Sequence, residues 1–422
     1  MKFENTLSFA EEMDSNDSLR KFRGSFHIPA IHGKQTIYLT GNSLGLLPVK
    51  AREYAEQEFL DWEHHGVEGH FNAKNPWLYY HHFCGEALAK MAGAKKSEVV
   101  AMGSLTANLH LLMVSFYQPS SSRFKIMMEA NAFPSDQYAM ETQVRYHGYS
   151  PDDAIIELKP RRGEFTLRTE DILQAIHEHR DQLATIMFGG VNYLNGQLFD
   201  MQAITEAGHR AGAMVGFDLA HAMGNVPLHL HQWQVDFACW CSYKYLNSSP
   251  GGVAGIFVHE KHGNNPSLPR FAGWWGNEES TRFKMEKGFH PQQGAAGWQV
   301  SNAPVFPMAI HRASLELFEE AGMENLRNKS RQLTAYLEFI VDDFNHHHPD
   351  KSLQIITPRD VAWRGCQLSL VASSDGKKIF NRLTEAGVIT DWREPNVIRM
   401  APVPLYNSFQ DVWKVGRVLR EL

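Results

Sequence analysis

The stretch 213–255 constrains the fold most, because two short apolar runs in it each lead to a polar residue that can do chemistry. The first run, residues 214–217, stops at Asp218, and the second, residues 235–240, leads within four residues to Lys244. Runs of this length and composition are typical of strands buried on both faces of a parallel sheet. Open α/β sheets bind their ligands at the carboxyl ends of such strands. The pattern therefore predicts a site that receives a carboxylate from one strand and an amine from another.

A carboxylate and a lysine in this arrangement suit pyridoxal phosphate, which forms a Schiff base with a lysine and needs an aspartate against its pyridinium nitrogen. The aspartate keeps that nitrogen protonated, so the ring accepts the electrons released when a bond at the substrate's Cα breaks. Taken singly, Asp218 is more simply a helix cap and Lys244 a solvated surface lysine. Because both residues follow apolar strands and His221 lies three residues beyond the aspartate, we predict this cofactor.

Composition indicates a globular protein of the cytoplasm. The 422 residues are 43% hydrophobic, and 41 basic against 47 acidic residues give a formal charge of −6 without a block of like charge. This balance predicts no binding to nucleic acid or to an anionic membrane. No signal peptide or membrane-spanning run is expected. The four cysteines show no disulfide framework, which suits a reducing compartment.

Strand and helix patterns alternate from residue 97 to residue 304, which predicts an α/β fold with a mostly parallel sheet flanked by helices. The pattern then changes to a long helical region, 306–345, followed by a smaller C-terminal α+β domain. Strands are predicted at 98–102, 124–129, 154–158, 183–188, 213–217, 235–240, 253–258, 353–357, 365–371 and 387–391. Helices are predicted at 48–64, 104–117, 135–146, 169–179, 200–211, 376–385 and 408–421. The predicted units are an N-terminal segment and helix at 1–65, a large cofactor-binding domain at 66–304 and the smaller domain at 305–422.

Two segments between strand and helix have the residues of a cofactor site. Residues 103–108 precede an apolar helix whose unpaired N–H groups and positive dipole end suit a phosphate, although an ordinary Ser or Thr N-cap fits equally. In the segment 133–136, Phe133 is suited to lie flat on an aromatic ring and Asp136 to contact a ring substituent or a phosphate. The same segment also has the composition of a helix start with an early proline. Both interpretations stay open for each segment.

Arg399 lies in an apolar strand pattern close to a proline. An arginine there needs a partner, and a bidentate carboxylate is the usual one. That carboxylate belongs either to an Asp or Glu of the chain or to an amino-acid substrate.

Histidine pairs at 64–65 and 81–82 and a run at 346–348 suggest a metal at first sight. None of them shows a ligand spacing joined to Cys or carboxylate partners, so no metal site is predicted. Trp274 and the segment 300–304 resemble site loops, although a core position is the default for a tryptophan.

Five motifs occur in an order that resembles the kynureninase family from about residue 20 to the end. They are Gly-Asn-Ser-Leu-Gly at 41–45, Phe-Pro-Ser-Asp at 133–136, Gly-Phe-Asp-Leu-Ala-His at 216–221, Cys-Ser-Tyr-Lys-Tyr-Leu-Asn at 241–247 and Arg-Met-Ala-Pro-Val-Pro-Leu-Tyr-Asn at 399–407. The resemblance implies a fold-type-I pyridoxal phosphate enzyme that forms a homodimer with shared active sites. It also implies hydrolysis of L-kynurenine or 3-hydroxy-L-kynurenine to anthranilate or 3-hydroxyanthranilate plus L-alanine, in tryptophan catabolism or NAD biosynthesis.

The resemblance also implies roles for individual residues. Lys244 is expected to form the Schiff base, Asp218 to pair with the pyridinium nitrogen and Tyr243 to assist proton transfer. Arg399 is expected to hold the substrate carboxylate, and Trp274 and Asn302 to come from the partner subunit. The other expected cofactor contacts are Leu105, Thr106, Phe133, Pro134, Ser135, Asp136 and His221. The other expected substrate-binding residues are Asn42, Ser43, His70 and Asn302.

Some alternatives stay open at this point. His70 and Asn302 are suited to hydrogen-bond a 3-hydroxyl group, but the preference between the two substrates is not decided. Gly189 stands where some relatives carry a serine near the cofactor, which leaves one hydroxyl contact in doubt. The nearest rival is another pyridoxal phosphate enzyme, such as a cysteine desulfurase or a small aminotransferase, and Cys366, within an apparent strand, is poorly placed to be a desulfurase nucleophile. A rival of another class is a catalytically silent relative that binds a ligand or partner, against which the intact Lys244, Asp218 and Arg399 argue.

Overall fold

A seven-stranded sheet forms the centre of the computed structural model, which describes residues 2–421. Four of its six strand pairings are parallel, and the two that involve Gly255–Val258 are antiparallel. The strong apolar character of the inner strands fits their burial on both faces. The strand order is Val99–Ala101, Gly255–Val258, Phe237–Trp240, Met214–Asp218, Leu183–Gly189, Lys125–Glu129 and Ile155–Leu158.

Helices cover this sheet and connect its strands. Pro134 at the first turn of one helix and Asp200, whose side chain caps another, are local signals that the sequence supplies. The helices are Leu7–Ser15, Ala51–His65, Gly69–Asn72, His82–Ala92, Leu105–Phe116, Pro134–Tyr146, Pro151–Ala154, Thr169–Glu178, Met201–Arg210, Glu260–Gly263, Val305–Ala321, Met323–His347, Gly376–Glu385 and Phe409–Arg420.

The long helical region predicted at 306–345 is two helices instead of one. Val305–Ala321 ends at Gly322, and Met323–His347 begins immediately after it. Gly322 has a φ of +75°, a left-handed conformation that glycine adopts without steric cost. The break therefore follows from one residue that periodicity alone did not reveal.

A second, four-stranded antiparallel sheet packs in the C-terminal part of the chain. Its strands, in order, are Leu353–Ile355, Leu368–Ala372, Val397–Met400 and Asp391–Arg393. The strand predicted at 387–391 is divided, because Val388–Ile389 pairs with Ile37–Tyr38 in a separate ribbon. The remaining short strands are Phe26–His27, Ala30–Ile31, Lys34–Gln35 and Leu47–Pro48.

The N-terminal segment contributes to the hydrophobic core of the C-terminal part. Ala10, Ile37 and Leu39 are buried in one cluster with Leu337 and Ile398. The N-terminal segment and the C-terminal part therefore share one hydrophobic cluster although they are far apart in the sequence. The unit boundaries 1–65, 66–304 and 305–422 stay a prediction. The connection after the Ala51–His65 helix contains the short helical turns Gly66–Glu68, Gly69–Asn72 and Trp77–Tyr79. Within residues 2–421, no helix has the length and apolar character to cross a membrane.

Candidate active site

Asp218 and Lys244 line one cavity at the carboxyl ends of the parallel strands. Asp218 is the last residue of Met214–Asp218, where it pairs in register with Gly189 on one side and Cys239 on the other. Lys244 follows the Phe237–Trp240 strand after a short turn. Neighbouring parallel strands that end together therefore deliver the two groups to one place. The cavity is lined by Leu105, Thr106, Glu129, Phe133, Ser135, Asp136, Gly189, Val191, Tyr193, Asp218, Ala220, His221, Tyr243 and Lys244.

The Lys244 ammonium group lies among a histidine and two aromatic rings. Its Nζ is 3.0 Å from His221 Nε2 and 5.6 Å from the centroid of the Phe133 ring. Burial, and after it the charge of Lys244, lowers the pKa of His221 well below its usual value. His221 is therefore neutral beside the lysine, and its Nδ1 has no hydrogen-bond partner among the described residues.

Three buried carboxyl groups share the cavity. Burial raises the pKa of Asp218, and the nearby Lys244 opposes this effect. Burial and the carboxylates of Asp218 and Glu129 raise the pKa of Asp136 well above its usual value. Burial also raises the pKa of Glu129 to about 7. Such a set of carboxyl groups is costly to bury unless a cationic ligand compensates it, which suits a protonated ring nitrogen.

Glu129, like Val191 and Tyr193, is a cavity residue that the sequence did not predict. It ends the Lys125–Glu129 strand as Asp218 ends its own, so a polar residue at a strand end was the available signal. Its carboxylate accepts the Gly189 N–H at 3.1 Å, and a Cβ atom at Gly189 would lie 3.0 Å from Glu129 Oε1. Glu129 thus occupies the space next to Gly189.

The first residues of the Leu105–Phe116 helix, Leu105 and Thr106, face the cavity. Ser104 precedes this helix and makes no side-chain cap bond within the described part of the chain. The helix N–H groups are consequently available, together with the positive end of its dipole, to an anionic group. This feature and the orphaned polar atoms Asp136 Oδ1 and His221 Nδ1 fit a phosphorylated, polar aromatic cofactor.

Phe133 and Tyr193 form an aromatic edge of the cavity. The two rings meet edge to face, with their centroids 5.2 Å apart. Ser135 and Asp136 of the same predicted motif also line the cavity, whereas Pro134 begins the helix beside it. Tyr243 lies on another side, and burial and the Cys241 thiol raise its pKa, so its hydroxyl is protonated.

Arg399 is buried, with its guanidinium already paired in this structure. Its Nη2 donates to Asp391 Oδ2 at 2.5 Å and to Ser43 Oγ at 3.1 Å, and its Nη1 donates to the Tyr193 carbonyl at 2.6 Å. Ser43 also hydrogen-bonds Asp391. Asn42, fully buried, donates to Gln367 Oε1 at 3.0 Å. The intramolecular ion pair that the sequence left open as an alternative is therefore present.

Seven predicted site residues are outside the cavity lining formed by residues 2–421 of this chain: Asn42, Ser43, His70, Pro134, Trp274, Asn302 and Arg399. Arg399 still contacts the lining residue Tyr193, whereas Trp274, Asn302 and His70 lie away from the cavity. Trp274 is 48% exposed, and its Nε1 donates to the Arg282 carbonyl at 3.1 Å. Asn302 is exposed. His70 is half-buried, with its Nδ1 2.9 Å from the Val67 carbonyl oxygen.

Comparison with known proteins assigns the family. A class-V aminotransferase model matches residues 37–357, and a model of the kynureninase C-terminal domain matches residues 326–419. Kynureninase of Flavobacterium psychrophilum is 53% identical over 425 residues, which cover 100% of this chain and 99% of the relative. The chain belongs to the kynureninase family. Kynureninase of Myxococcus xanthus is also 53% identical, over 99% of this chain and 97% of the relative.

Solved structures similar to this kynureninase-family chain agree on its fold. A C-DES mutant with glycine covalently linked to the PLP cofactor superimposes with a TM-score of 0.77 at 15% identity, covering 91% of this chain and 96% of the other. A cysteine desulfurase of Thermococcus onnurineus, solved in its apo form, gives 0.74 at 15% identity, covering 92% and 94%. At this identity the likeness shows the fold alone. The predicted fold class and the predicted cofactor, pyridoxal phosphate, are confirmed.

Cys366 is unsuited to the nucleophilic role that a desulfurase requires. The residue is 1% exposed, and burial raises the pKa of its thiol to about 12. A reactive cysteine needs access and a lowered pKa. The membership of the kynureninase family and this burial together disfavour the rival function.

Proposed function

We propose that this protein hydrolyses the Cβ–Cγ bond of L-kynurenine or 3-hydroxy-L-kynurenine, releasing anthranilate or 3-hydroxyanthranilate and L-alanine. The observation that supports this most is the meeting of the Lys244 amine, the Asp218 carboxylate and an uncapped helix start in one cavity. Membership of the kynureninase family supplies the substrate class. The reaction belongs to tryptophan catabolism or NAD biosynthesis.

Bound pyridoxal phosphate supplies a ring that accepts the electrons released at the substrate's Cα. Lys244 would hold this ring in the resting enzyme, and its free amine would take the Cα proton of the bound substrate as a general base. The uncharged His221, 3.0 Å from Lys244 Nζ, lets this amine lose or accept a proton without a second fixed positive charge beside it.

Asp218 holds the ring nitrogen in its protonated form. Its Oδ1 already accepts the Ala220 N–H at 2.7 Å, which fixes the orientation of the carboxylate. Asp136 is suited to contact a ring substituent, and Leu105 and Thr106 to bind the phosphate through the helix start. Phe133, which lines the cavity, would contact the bound ring.

Tyr243 is the residue suited to transfer a proton at the substrate's γ-carbonyl. Because its pKa is raised, the hydroxyl remains protonated at neutral pH and donates a hydrogen bond to developing negative charge. Water adds to that carbonyl carbon, and cleavage of the Cβ–Cγ bond releases the aryl acid.

Arg399 is suited to bind the α-carboxylate of the substrate. Its Nη1 is fixed by the Tyr193 carbonyl, whereas its Nη2 is shared by Asp391 and Ser43. The substrate carboxylate therefore competes with Asp391 for the guanidinium. Asn42 and Ser43 belong to the same corner of the site, next to the strand that carries Arg399.

We further propose a homodimer with shared active sites, located in the cytoplasm. Trp274 and Asn302 match cofactor-contacting positions of the family yet lie away from this chain's own cavity, which supports their delivery to the partner's site. His70 lies away from the cavity in the same way, so we assign it to the partner's site with them. There, His70 and Asn302 are suited to contact a 3-hydroxyl group of the substrate.

Absorption and fluorescence measurements on one sample of the purified protein test the proposal. The purified protein should absorb in the visible from bound cofactor, and addition of L-kynurenine should give growing anthranilate fluorescence. A coloured protein that is active only on 3-hydroxy-L-kynurenine would still agree with the proposal. A protein that stays colourless with added pyridoxal phosphate, or a coloured one inactive on both substrates, would contradict it.

A further inference from the structure

Two histidines and a glutamate converge outside the active-site cavity. His81 and His82 stand at the start of the His82–Ala92 helix, and Glu279 lies in the distant segment that follows Trp274. The Nε2 atoms of His81 and His82 are 3.4 Å and 3.0 Å from the same oxygen, Glu279 Oε1. The three donor atoms all lie within 4.8 Å of one another. Tertiary folding thus supplies the carboxylate that the sequence around this histidine pair lacks.

The separations agree with the edges of a metal coordination tetrahedron. Zinc binds imidazole nitrogen and carboxylate oxygen at about 2.0–2.2 Å, so two tetrahedral ligands lie about 3.4 Å apart. The contacts of His81 and His82 to Glu279, 3.4 Å and 3.0 Å, need only a small adjustment. His82 is 44% exposed and Glu279 31%, so both side chains have the freedom to make it and leave a side open for water as a fourth ligand.

His81 is an independent sign of a missing ligand. Its side chain is 2% exposed, and within residues 2–421 neither of its ring nitrogens has a hydrogen-bond partner, since the 3.4 Å contact with Glu279 is not aligned as one. A buried polar group left without a partner costs about 1–3 kcal/mol. Each imidazole nitrogen without a partner is available to bind a metal ion.

We propose that His81, His82 and Glu279 bind a divalent transition-metal ion of the zinc class. The ligand set of two imidazoles and one carboxylate suits zinc and leaves one position for water. Arg282, the neighbouring cation, directs its Nη2 to the Trp275 carbonyl at 2.7 Å and stacks on the Trp275 ring. The Glu279 carboxylate offsets its charge.

A second cluster, Glu98 with His231 and His259, also holds an unpartnered nitrogen, His259 Nε2, but its carboxylate is already engaged within the chain. Glu98 Oε1 already accepts the Glu260 N–H at 2.8 Å and lies 2.9 Å from His231 Nδ1. Its other oxygen accepts the Lys95 N–H. Both oxygens are therefore committed to the local fold.

The bound ion would tie the segment that carries Trp274 to the helix that begins at His82. Glu279 is five residues from Trp274, and Lys284 and Lys287 in the same segment are exposed. Metal binding should therefore slow tryptic cleavage at these lysines. This readout does not depend on turnover, so it stands apart from the proposed function.

The test uses the cofactor-loaded enzyme, purified without a histidine tag and freed of metal by chelation. Zinc chloride is titrated against a fluorescent zinc indicator for the natural protein and for His82→Asn and Glu279→Gln. His347→Asn, which alters an exposed histidine of the run 346–348, is the matched control for surface imidazole. Thermal denaturation without metal verifies that each variant is folded, which the exposure of both altered side chains favours.

We expect one zinc equivalent per chain, an affinity at least about tenfold lower in both site variants, and no change in the control. Zinc should slow the tryptic cleavage of the natural protein and leave that of Glu279→Gln unchanged. Equal affinity in all four proteins, or a loss in His347→Asn as large as in the site variants, would overturn the proposal. An absence of binding by the natural protein would overturn it as well.

Discussion

The substitution Arg399→Lys tests whether the guanidinium fork, rather than positive charge alone, binds the substrate. Arg399 is 1% exposed and uses both terminal nitrogens, one for the Tyr193 carbonyl and one for Asp391 and Ser43. Lysine keeps a cation opposite Asp391, so the buried carboxylate stays compensated and the protein should fold. It loses the fixed second donor, because an ammonium group binds as a point charge.

The expected loss follows from one charge-assisted hydrogen bond. Such a bond contributes about 1.5–3 kcal/mol. With about 1.4 kcal/mol for each factor of ten, kcat/KM should fall by roughly 10- to 150-fold, mainly through a higher KM. The assay is steady-state release of the fluorescent aryl acid, with the cofactor absorption spectrum measured on the same samples to show that the site is loaded.

Arg393→Lys is the matched control. Arg393 also contacts Asp391, at 3.3 Å, but its side chain is 39% exposed, so the pair contributes little and kcat/KM should stay within about twofold. An Arg399→Lys enzyme within threefold of the natural kcat/KM would refute the assignment of Arg399 to the substrate carboxylate. A control that lost as much activity as Arg399→Lys would refute the reasoning from burial.

Three further outcomes follow. Lys244→Ala should abolish covalent attachment of the cofactor, so borohydride reduction should no longer raise the intact mass; normal turnover would contradict its role. In the cofactor-free protein, burial raises the pKa of Glu129 to about 7, so the folded state binds its proton more tightly than the unfolded state. The free energy of unfolding should therefore fall as the pH rises from about 4.5 to 7. In urea titrations, Glu129→Gln should remove up to roughly 3 kcal/mol of this pH dependence. An unchanged pH dependence of the unfolding free energy in Glu129→Gln would show that Glu129 does not ionise in this pH range. His70→Phe should lower kcat/KM for 3-hydroxy-L-kynurenine more than for L-kynurenine; equal losses would exclude a contact with the 3-hydroxyl group.

Strand periodicity predicted the large sheet, because residues buried on both faces must be apolar along their whole length. The polar residue that ends such a run then marks the ligand edge, and this rule assigns Asp218 and Lys244 to one site from their sequence positions alone. The same rule applied to Glu129 would have found the third carboxyl group of the cavity. The break at Gly322 was not predicted in this way. The helix ends at this one residue, but the apolar pattern of the sequence continues across it.

The fold class, the cofactor chemistry and the family were predictable from the sequence, because these depend on local patterns and on motifs a few residues long. The contacts between residues that are far apart in the sequence became known from the folded chain. In the folded chain, Arg399 forms an ion pair with Asp391, Glu129 accepts the Gly189 N–H, and Glu279 contacts a histidine pair that has no carboxylate near it in the sequence. These contacts depend on how separate helices and strands pack against each other. The spacing of residues along the chain does not reveal the distances between them in the folded protein.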